Sequence, residues 1–543
     1  MDYDTINVIE NNKEKFLMKY IKLCLKFILV FSISYIFIRY ANRNVELLAL
    51  HLDDMTNYMS YLELGNLKAW IIDFYPNRMH YRPIFYIILI NIFRIISGHI
   101  ERLLIVNIVI NSMIATVIYF LMDRLHIKIL FKILTIVLYS VISYSYFQIY
   151  EAIGCIEGIP LMLSLIILVS CIKNRYYDEK KYTISCTISL ILYILMVFTH
   201  ERYFPMLLLI LISISTNANI SKRTKNKFFV ISFVELFAFF AIRYYHLRII
   251  IPRGTDCSSL VENFDLIRSF KFIYHQIMYL LGVNLGPRYL CGMNFYEASN
   301  KAKFIIAISA MLILILFVVY IVGQGLRKKY KRDDAKNSFT IDNVSDAYNK
   351  YIDRYFIIYI FLCILQSSLT IRVEMRWLYA SFMALVMYMS YIVSKAYNVE
   401  ISENAKINLL YKYSLVSLFL AFFIGRMLVN SYYKRFDELI FIINEQKVVN
   451  NLYKNTVGKY GIDKIRNMNV YITSDNYKII SSYERWYFFD QYDGKISDRE
   501  MIKIESDSDK IIDAINDENS IVLEEDNRLG YRELVDNYKN EKS

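Results

Sequence analysis

Proline and glycine are scarce, at 6 and 15 of 543 residues, so the helices of this chain are expected to run mostly unbroken. The 7 cysteines form no Cys-x-x-Cys pair, and no His-Glu-x-x-His occurs, so no zinc site is indicated. Nor do the cysteines make a disulfide framework. Cys24, Cys171, Cys186 and Cys363 lie in or beside apolar stretches and read as small hydrophobes. Cys257 and Cys291 share one loop, and a disulfide between them stays open. The first residues, MDYDTINVIENNKEKF, lack a basic start and a small-residue cleavage site, so the first apolar block is expected to be an anchor. No internal repeat is visible.

What the sequence does have is apolar residues in unbroken blocks. Hydrophobic residues make up 56% of the chain. They gather in stretches such as 23–38 and 302–323, close to the length that crosses a bilayer core. The net charge of +12 does not point to nucleic acid, because the basic residues sit in short clusters between apolar blocks. These clusters fall at 13–22, 124–132, 173–181, 222–227, 327–332 and 395–412. Placing all of them in the cytoplasm predicts about eleven transmembrane helices, at 18–39, 102–122, 129–148, 158–172, 183–199, 203–219, 228–247, 302–326, 354–371, 377–395 and 408–430. The N-terminus is then cytoplasmic and the C-terminus extracytoplasmic, in a multi-pass protein of the cell membrane.

Residues 83–97 are apolar but short and carry Asn91 and Arg94. As a span they would turn the later basic clusters outward, so they read as a helix at the outer interface. Outer loop 1 is then 40–101, and a second long outer loop, 248–301, holds another interfacial helix near 267–281. Residues 1–430 form the transmembrane domain. Beyond residue 430 charge and turn glycines take over, with β-like runs at 469–473 and 520–525 and a helix-like stretch at 506–517. Residues 431–543 therefore read as a small α/β domain on the outer side, with no catalytic motif of its own.

This topology gathers ionisable residues on one face. Asp53 and Asp54 follow the first span, where adjacent carboxylates need solvent, a partner or a cation. Such a carboxylate can serve as general base, although a helix cap or solvated turn accounts for the pair equally well. Arg78, His80 and Arg82 in the same loop suit phosphate, whether of a substrate or of lipid headgroups. Glu151 and Glu157 stand in the second outer connection, where a carboxylate can bind a divalent cation, orient a sugar hydroxyl or simply be solvated. His200, Glu201 and Arg202 fill a tight turn between two apolar helices and read either as a substrate pocket or as a self-compensating ion pair. Arg372, Glu374 and Arg376 end another span, where phosphate binding and interfacial anchoring are both open.

Three features together resemble the GT-C type polyprenyl-phosphate-sugar glycosyltransferases, the class of protein O-mannosyltransferases and lipid A aminoarabinose transferases. They are the acid pair Asp53-Asp54 soon after the first span, Arg82-Pro83 opening an aromatic interfacial helix that runs to Gly98, and Glu101-Arg102-Leu103-Leu104 starting the next span. Glu151 or Glu157 matches the acid usual in that family's second outer loop. The resemblance covers residues 17–215. The proline frequent at the end of the family's third span is missing here, which leaves the partner of the acid pair open.

The resemblance implies a GT-C-like helical bundle that transfers a sugar with inversion. The donor would be a polyprenyl-phosphate sugar, the acceptor an extracytoplasmic glycan, lipid or protein, and membrane lipid the surroundings. Asp53 would take the acceptor's proton, Asp54 would support it, and Arg82, Arg372 or Arg376 would meet the donor phosphate. A Mg²⁺ or Mn²⁺ ion held by Asp53 and Glu157 is left open. A lipid-linked saccharide flippase and a polysaccharide polymerase are the alternatives, the first favoured by Glu235 within a span and the second disfavoured by a long loop that comes mid-chain rather than late.

Overall fold

The structure, a computed structural model, describes residues 3–65, 80–248, 265–286, 292–334, 342–368, 373–397, 399–435, 441–473, 482–526 and 530–534. Helices dominate: α1 (Tyr3–Ala41), α2 (Leu52–Leu64), α3 (Pro83–Ile96), α4 (Arg102–Arg124), α5 (Ile129–Val141), α6 (Tyr146–Tyr150), α7 (Cys155–Asn174) and α8 (Glu179–Thr199) come first. They are followed by α9 (Leu207–Thr216), α10 (Lys222–Leu247), α11 (Leu266–Leu280), α12 (Asn300–Asp334), α13 (Asp342–Ser368), α14 (Tyr379–Ala396), α15 (Ala405–Arg435) and α16 (Phe441–Asn455).

Among the described residues, 8 helical stretches are long and apolar enough to cross a membrane, or up to 9 if α5 and the helical run Ser143–Tyr150, bent by 53°, count as one. The chain is a multi-pass helical membrane protein. Two of the eleven expected spans, 203–219 and 354–371, are not among these stretches. Residues 203–219 begin inside a 3-10 stretch, Glu201–Met206, whose Pro205 has no N–H to give. The α-helix that follows has 10 residues, about 15 Å against a core of about 30 Å. Residues 354–368 of the expected span 354–371 lie on α13, directly after the charged pair Asp353-Arg354, and residues 369–371 lie outside the described residues.

Burial sorts the spans. The stretch Met375–Ala396 is 94% buried and forms the centre of the bundle, while Met18–Ala41 is 11% buried and lies at its edge. Leu25, Ile28 and Ile36 on α1 stay exposed, which suits lipid and not water. The helix α3, with Pro83 at its first position, is too short to span and packs Phe85, Leu89 and Phe93 inward. An amphipathic helix, α11, occupies the place expected near 267–281.

Past α16 the chain forms a four-stranded sheet of order β2-β1-β3-β4, from β1 (Asn469–Thr473), β2 (Ile502–Ile504), β3 (Ser520–Asp526) and β4 (Gly530–Glu533). The runs expected as strands are β1 and β3, paired in parallel with Val470 opposite Ile521 and Ile472 opposite Leu523. Alternation buries Val470 and Ile472. Helix α16 and the short helical turn Asp490–Asp493 between β1 and β2 grip the segment that leads into α2. Asn450 Oδ1 accepts from the Leu48 N–H at 2.9 Å and its Nδ2 donates to the Glu46 carbonyl at 2.7 Å. Gln446 donates to the Ala49 carbonyl at 2.9 Å, Gln491 accepts from the Leu50 N–H at 2.6 Å, and the Tyr492 hydroxyl donates to the Leu48 carbonyl at 2.9 Å.

Replacing Asn450 by Ala leaves the Leu48 N–H and the Glu46 carbonyl without partners. The expected loss is about 1–3 kcal/mol, read as a lower melting temperature of the full chain in detergent. Asn467→Ala, at an exposed position, serves as the control. Equal melting of Asn450→Ala and wild type would show that other contacts hold this segment.

Candidate functional site

The acid pair sits where α2 begins. Leu52 has φ of 46°, a left-handed conformation that a leucine rarely adopts. It persists because neighbouring N–H groups are fixed: Leu50 by Gln491 and Leu52 by Glu484 Oε1 at 3.3 Å. The next two residues then diverge. Asp53 is exposed, whereas Asp54 is buried.

Asp54 accepts two backbone hydrogen bonds, from Ala152 N at 2.5 Å and Ile153 N at 2.9 Å. These N–H groups belong to the break between α6 and α7, so the carboxylate caps that turn from a distant part of the chain. The turn is shaped by α4, where Asn107 Nδ2 donates to the carbonyls of Ile149 and Glu151 and Asn111 Nδ2 to that of Gln148. Gly154 permits the tight approach, because a Cβ there would lie 2.2 Å from the Phe147 carbonyl oxygen.

Glu151, buried in the same turn, hydrogen-bonds the Asp54 side chain. Burial pushes both carboxyls up, Asp54 to about 7 and Glu151 well above its ordinary range, with the Asp54 charge adding to the rise of Glu151. The two carboxyls therefore keep a proton between them near neutral pH. His51 Nε2 lies 3.8 Å from Glu151 Oε1 and 3.9 Å from Glu445 Oε2. Its burial lowers the imidazole to about 4, so His51 is neutral.

Around this acidic centre stand three arginine–carboxylate pairs. Arg82 binds Glu201 through two nitrogens, Nε to Oε2 at 2.6 Å and Nη2 to Oε1 at 2.9 Å, and His80 Nδ1 meets Glu201 Oε1 at 2.7 Å. Burial opposes ionisation of Glu201, but Arg82 and then His80 overcome it and hold the carboxyl well below the usual range. Arg202 Nη2 donates to Glu157 Oε2, and His200 Nε2 is 3.7 Å from Glu157 Oε1. Burial, Arg82 and Arg202 lower His200 to about 4, leaving it neutral. Arg376 pairs with Glu374 at 2.5 Å and lies 4.0 Å over the Phe147 ring, while Arg202 lies 5.3 Å over Trp377.

The residues singled out in sequence thus meet in groups: Asp54 with Glu151, Glu157 with His200 and Arg202, His80 and Arg82 with Glu201, and Arg376 with Glu374. Asp53 stands exposed beside the first group. Arg78 and Arg372, and the cysteines Cys257 and Cys291, lie outside the described residues. Glu151 and Glu157 have no basic neighbour in sequence, yet Arg202 reaches Glu157 in space. His51, Asn107, Asn111, Gly154 and Glu445 did not stand out as site residues. Asn107 and Asn111, four apart on one span, were a readable signal for a polar seam.

Among the described residues no group of three or more His, Cys, Asp or Glu side chains is arranged to hold a metal ion. Both oxygens of Asp54 are taken by N–H groups, and Glu157 faces Arg202 and His200. Of the two carboxylates expected to hold a Mg²⁺ or Mn²⁺ ion, Glu157 is thus engaged by Arg202, while Asp53 is exposed. No family model matches the chain, and no curated protein matches it in sequence.

The buried pair gives stability a definite pH dependence. The folded chain keeps a proton that an unfolded Asp or Glu releases near pH 4. This contribution is therefore full at low pH and is lost as pH rises through about 7, where Asp54 titrates. The melting temperature of wild type is expected to fall between pH 5 and about 9, and Glu151→Gln, which keeps the donated hydrogen bond without titrating, to fall less. Glu445, raised to about 7 by burial and then by Glu484, titrates in the same direction, so the slope shrinks rather than vanishes. Identical slopes for variant and wild type would rule out a proton held between Glu151 and Asp54.

Proposed function

We propose that this chain is an inverting GT-C type glycosyltransferase, moving a sugar from a polyprenyl-phosphate donor to an extracytoplasmic glycan, lipid or protein. One observation carries the reading: an exposed aspartate, Asp53, stands next to a buried proton-sharing pair, at a bundle end ringed by the arginine pairs of Arg82, Arg202 and Arg376. Asp54 is committed to the turn, so Asp53 is the carboxylate available for chemistry.

In this reading the acceptor oxygen attacks the anomeric carbon while Asp53 takes its proton. The bond from that carbon to the phosphate oxygen breaks on the opposite face, and its electron pair leaves with the lipid phosphate. Catalysis is then positioning plus stabilisation of the departing charge. Arg82 and Arg376 are the described arginines for that phosphate, which would compete there with Glu201 and Glu374. No step passes through a metal.

The finer architecture belongs to the same proposal. Eleven spans result if α5 with α6, α9 and α13 also cross, the short ones seated among longer neighbours. The N-terminus is then cytoplasmic, and the sheet after α16 is an extracytoplasmic α/β domain of the cell membrane protein. A flippase for lipid-linked saccharides is the second reading, favoured by Glu235, whose Oε2 is buried without a hydrogen-bond partner within the span Lys222–Leu247.

Asp53→Asn is expected to reduce transfer by about 10²- to 10⁴-fold, the usual contribution of a general base, with an unchanged melting temperature. Full transfer by this variant would remove Asp53 as base. Release of free polyprenyl phosphate from a polyprenyl-phosphate sugar by purified protein in detergent separates the transferase from the flippase, which leaves the donor intact.

A further inference from the structure

Helix α10 is peripheral, with 22% of its spanning stretch buried, yet it keeps one inward stripe of Phe228, Ser232, Phe239, Arg243 and Leu247. The last turns of that stripe lie against the segment that carries His80 and Arg82. His246 stacks on Tyr81, with ring centroids 4.2 Å apart and an interplanar angle of 10°. Phe239 meets Phe198 at 5.6 Å, and Phe198 meets Tyr81 edge-on at 6.2 Å. Arg243 lies between Phe239 and His246 on this face and is 1% exposed. An arginine near the end of a span usually snorkels to water, but this one is enclosed beside the site.

Its charge is felt there. Glu201 attracts Arg243, Arg82 repels it, and His80 senses it as well. Glu201 therefore stands in the field of two guanidinium groups, and Arg82 and His80 hold it by hydrogen bonds. His200 Nδ1, 3.8 Å from Glu201 Oε2, is neutral and adds no charge. Arg82 cannot serve two anions at once. An anion that engages it leaves a buried carboxylate short of its cation, which is costly in a low-dielectric setting.

We propose that Arg243 is a positioning residue, which keeps Glu201 ionised and in place while Arg82 turns to an incoming anion. Glu201 passes from Arg82 to Arg243 and returns when the anion leaves. That this anion is the donor phosphate rests on the transferase reading. The shared hold on Glu201 does not.

Melting temperatures of the full chain in detergent are compared for Arg82→Gln, Arg243→Gln and the double variant, and again for each in a Glu201→Gln background. Either single variant leaves Glu201 one guanidinium and the double variant leaves none, so the double loss should exceed the sum of the single losses. In the Glu201→Gln background that excess should disappear, whereas plain repulsion between the two guanidinium groups would persist. Arg243→Lys keeps the charge and, combined with Arg82→Gln, should remove most of the excess. In transfer assays Arg243→Gln should raise KM for a polyprenyl-phosphate sugar about tenfold with kcat nearly unchanged, because binding now strips Glu201 of its remaining cation. Glu201→Gln should cancel that rise. Additive losses, an excess that survives Glu201→Gln, or an unchanged KM would overturn the role of Arg243. If the double variant does not accumulate, the comparison of KM decides. Absence of transfer by wild type strikes the transferase reading alone, since the shared hold is read from melting.

Discussion

The carboxylate of Asp54, closed on the N–H groups of Ala152 and Ile153, is the contact from which the rest of the site takes its geometry. It joins the start of α2 to the break before α7. Adjacent residues on a helix point about 100° apart, so fixing Asp54 inward sends Asp53 outward. The same break presents Glu151 to Asp54, and its carbonyls are held from the far side by Asn107 and Asn111. Two ionised carboxylates could not share this buried space, so one proton stays with them, and the break in the helices becomes a rigid support for an exposed acid.

Beyond that contact, the site is organised by charge compensation in a low-dielectric setting. Glu201 and Glu157 would each be costly alone, and each meets an arginine from a different element or turn. The pairing also explains why His80 and His200, though close to acids, are held low in pKa: burial and then the nearby guanidinium groups outweigh the carboxylates. His200, lowered to about 4, is neutral and adds no positive charge beside the Glu157–Arg202 pair.

Much of this was legible in the sequence, for physical reasons that also set the limits. Apolar blocks of bilayer length became helices, and the short run after Pro83 became the short helix α3. The expected spans 203–219 and 354–371 are shorter as apolar helices than composition suggested, the first because Pro205 follows an ionisable turn and the second because Asp353-Arg354 precede its apolar run. The clustering of Glu157 with Arg202 and of Arg82 with Glu201 was within reach, because one topology put their loops on a common face. The split between Asp53 and Asp54 was not, since it depends on two backbone N–H groups 98 and 99 residues further along. Arg243 carried no signal either, because a single arginine near the end of a span reads as a snorkelling side chain.

The sheet after α16 has no catalytic motif, but α16 and the short helices between β1 and β2 make contacts that reach the site. Asn450, Gln446, Gln491, Glu484 and Tyr492 all bond backbone groups between Glu46 and Leu52. A loop in that position would otherwise be free to move, and the left-handed Leu52 would relax toward an ordinary conformation. Each such bond contributes about 1 kcal/mol net, so several together exceed the strain at one residue, about 1–3 kcal/mol. The C-terminal part of the chain thereby holds the turn that aims Asp53, and α16 itself brings Glu445 to the His51–Glu151 group. A segment remote in sequence and distinct in composition is thus a structural member of the same acidic centre, and the orientation of α2 depends on its being folded.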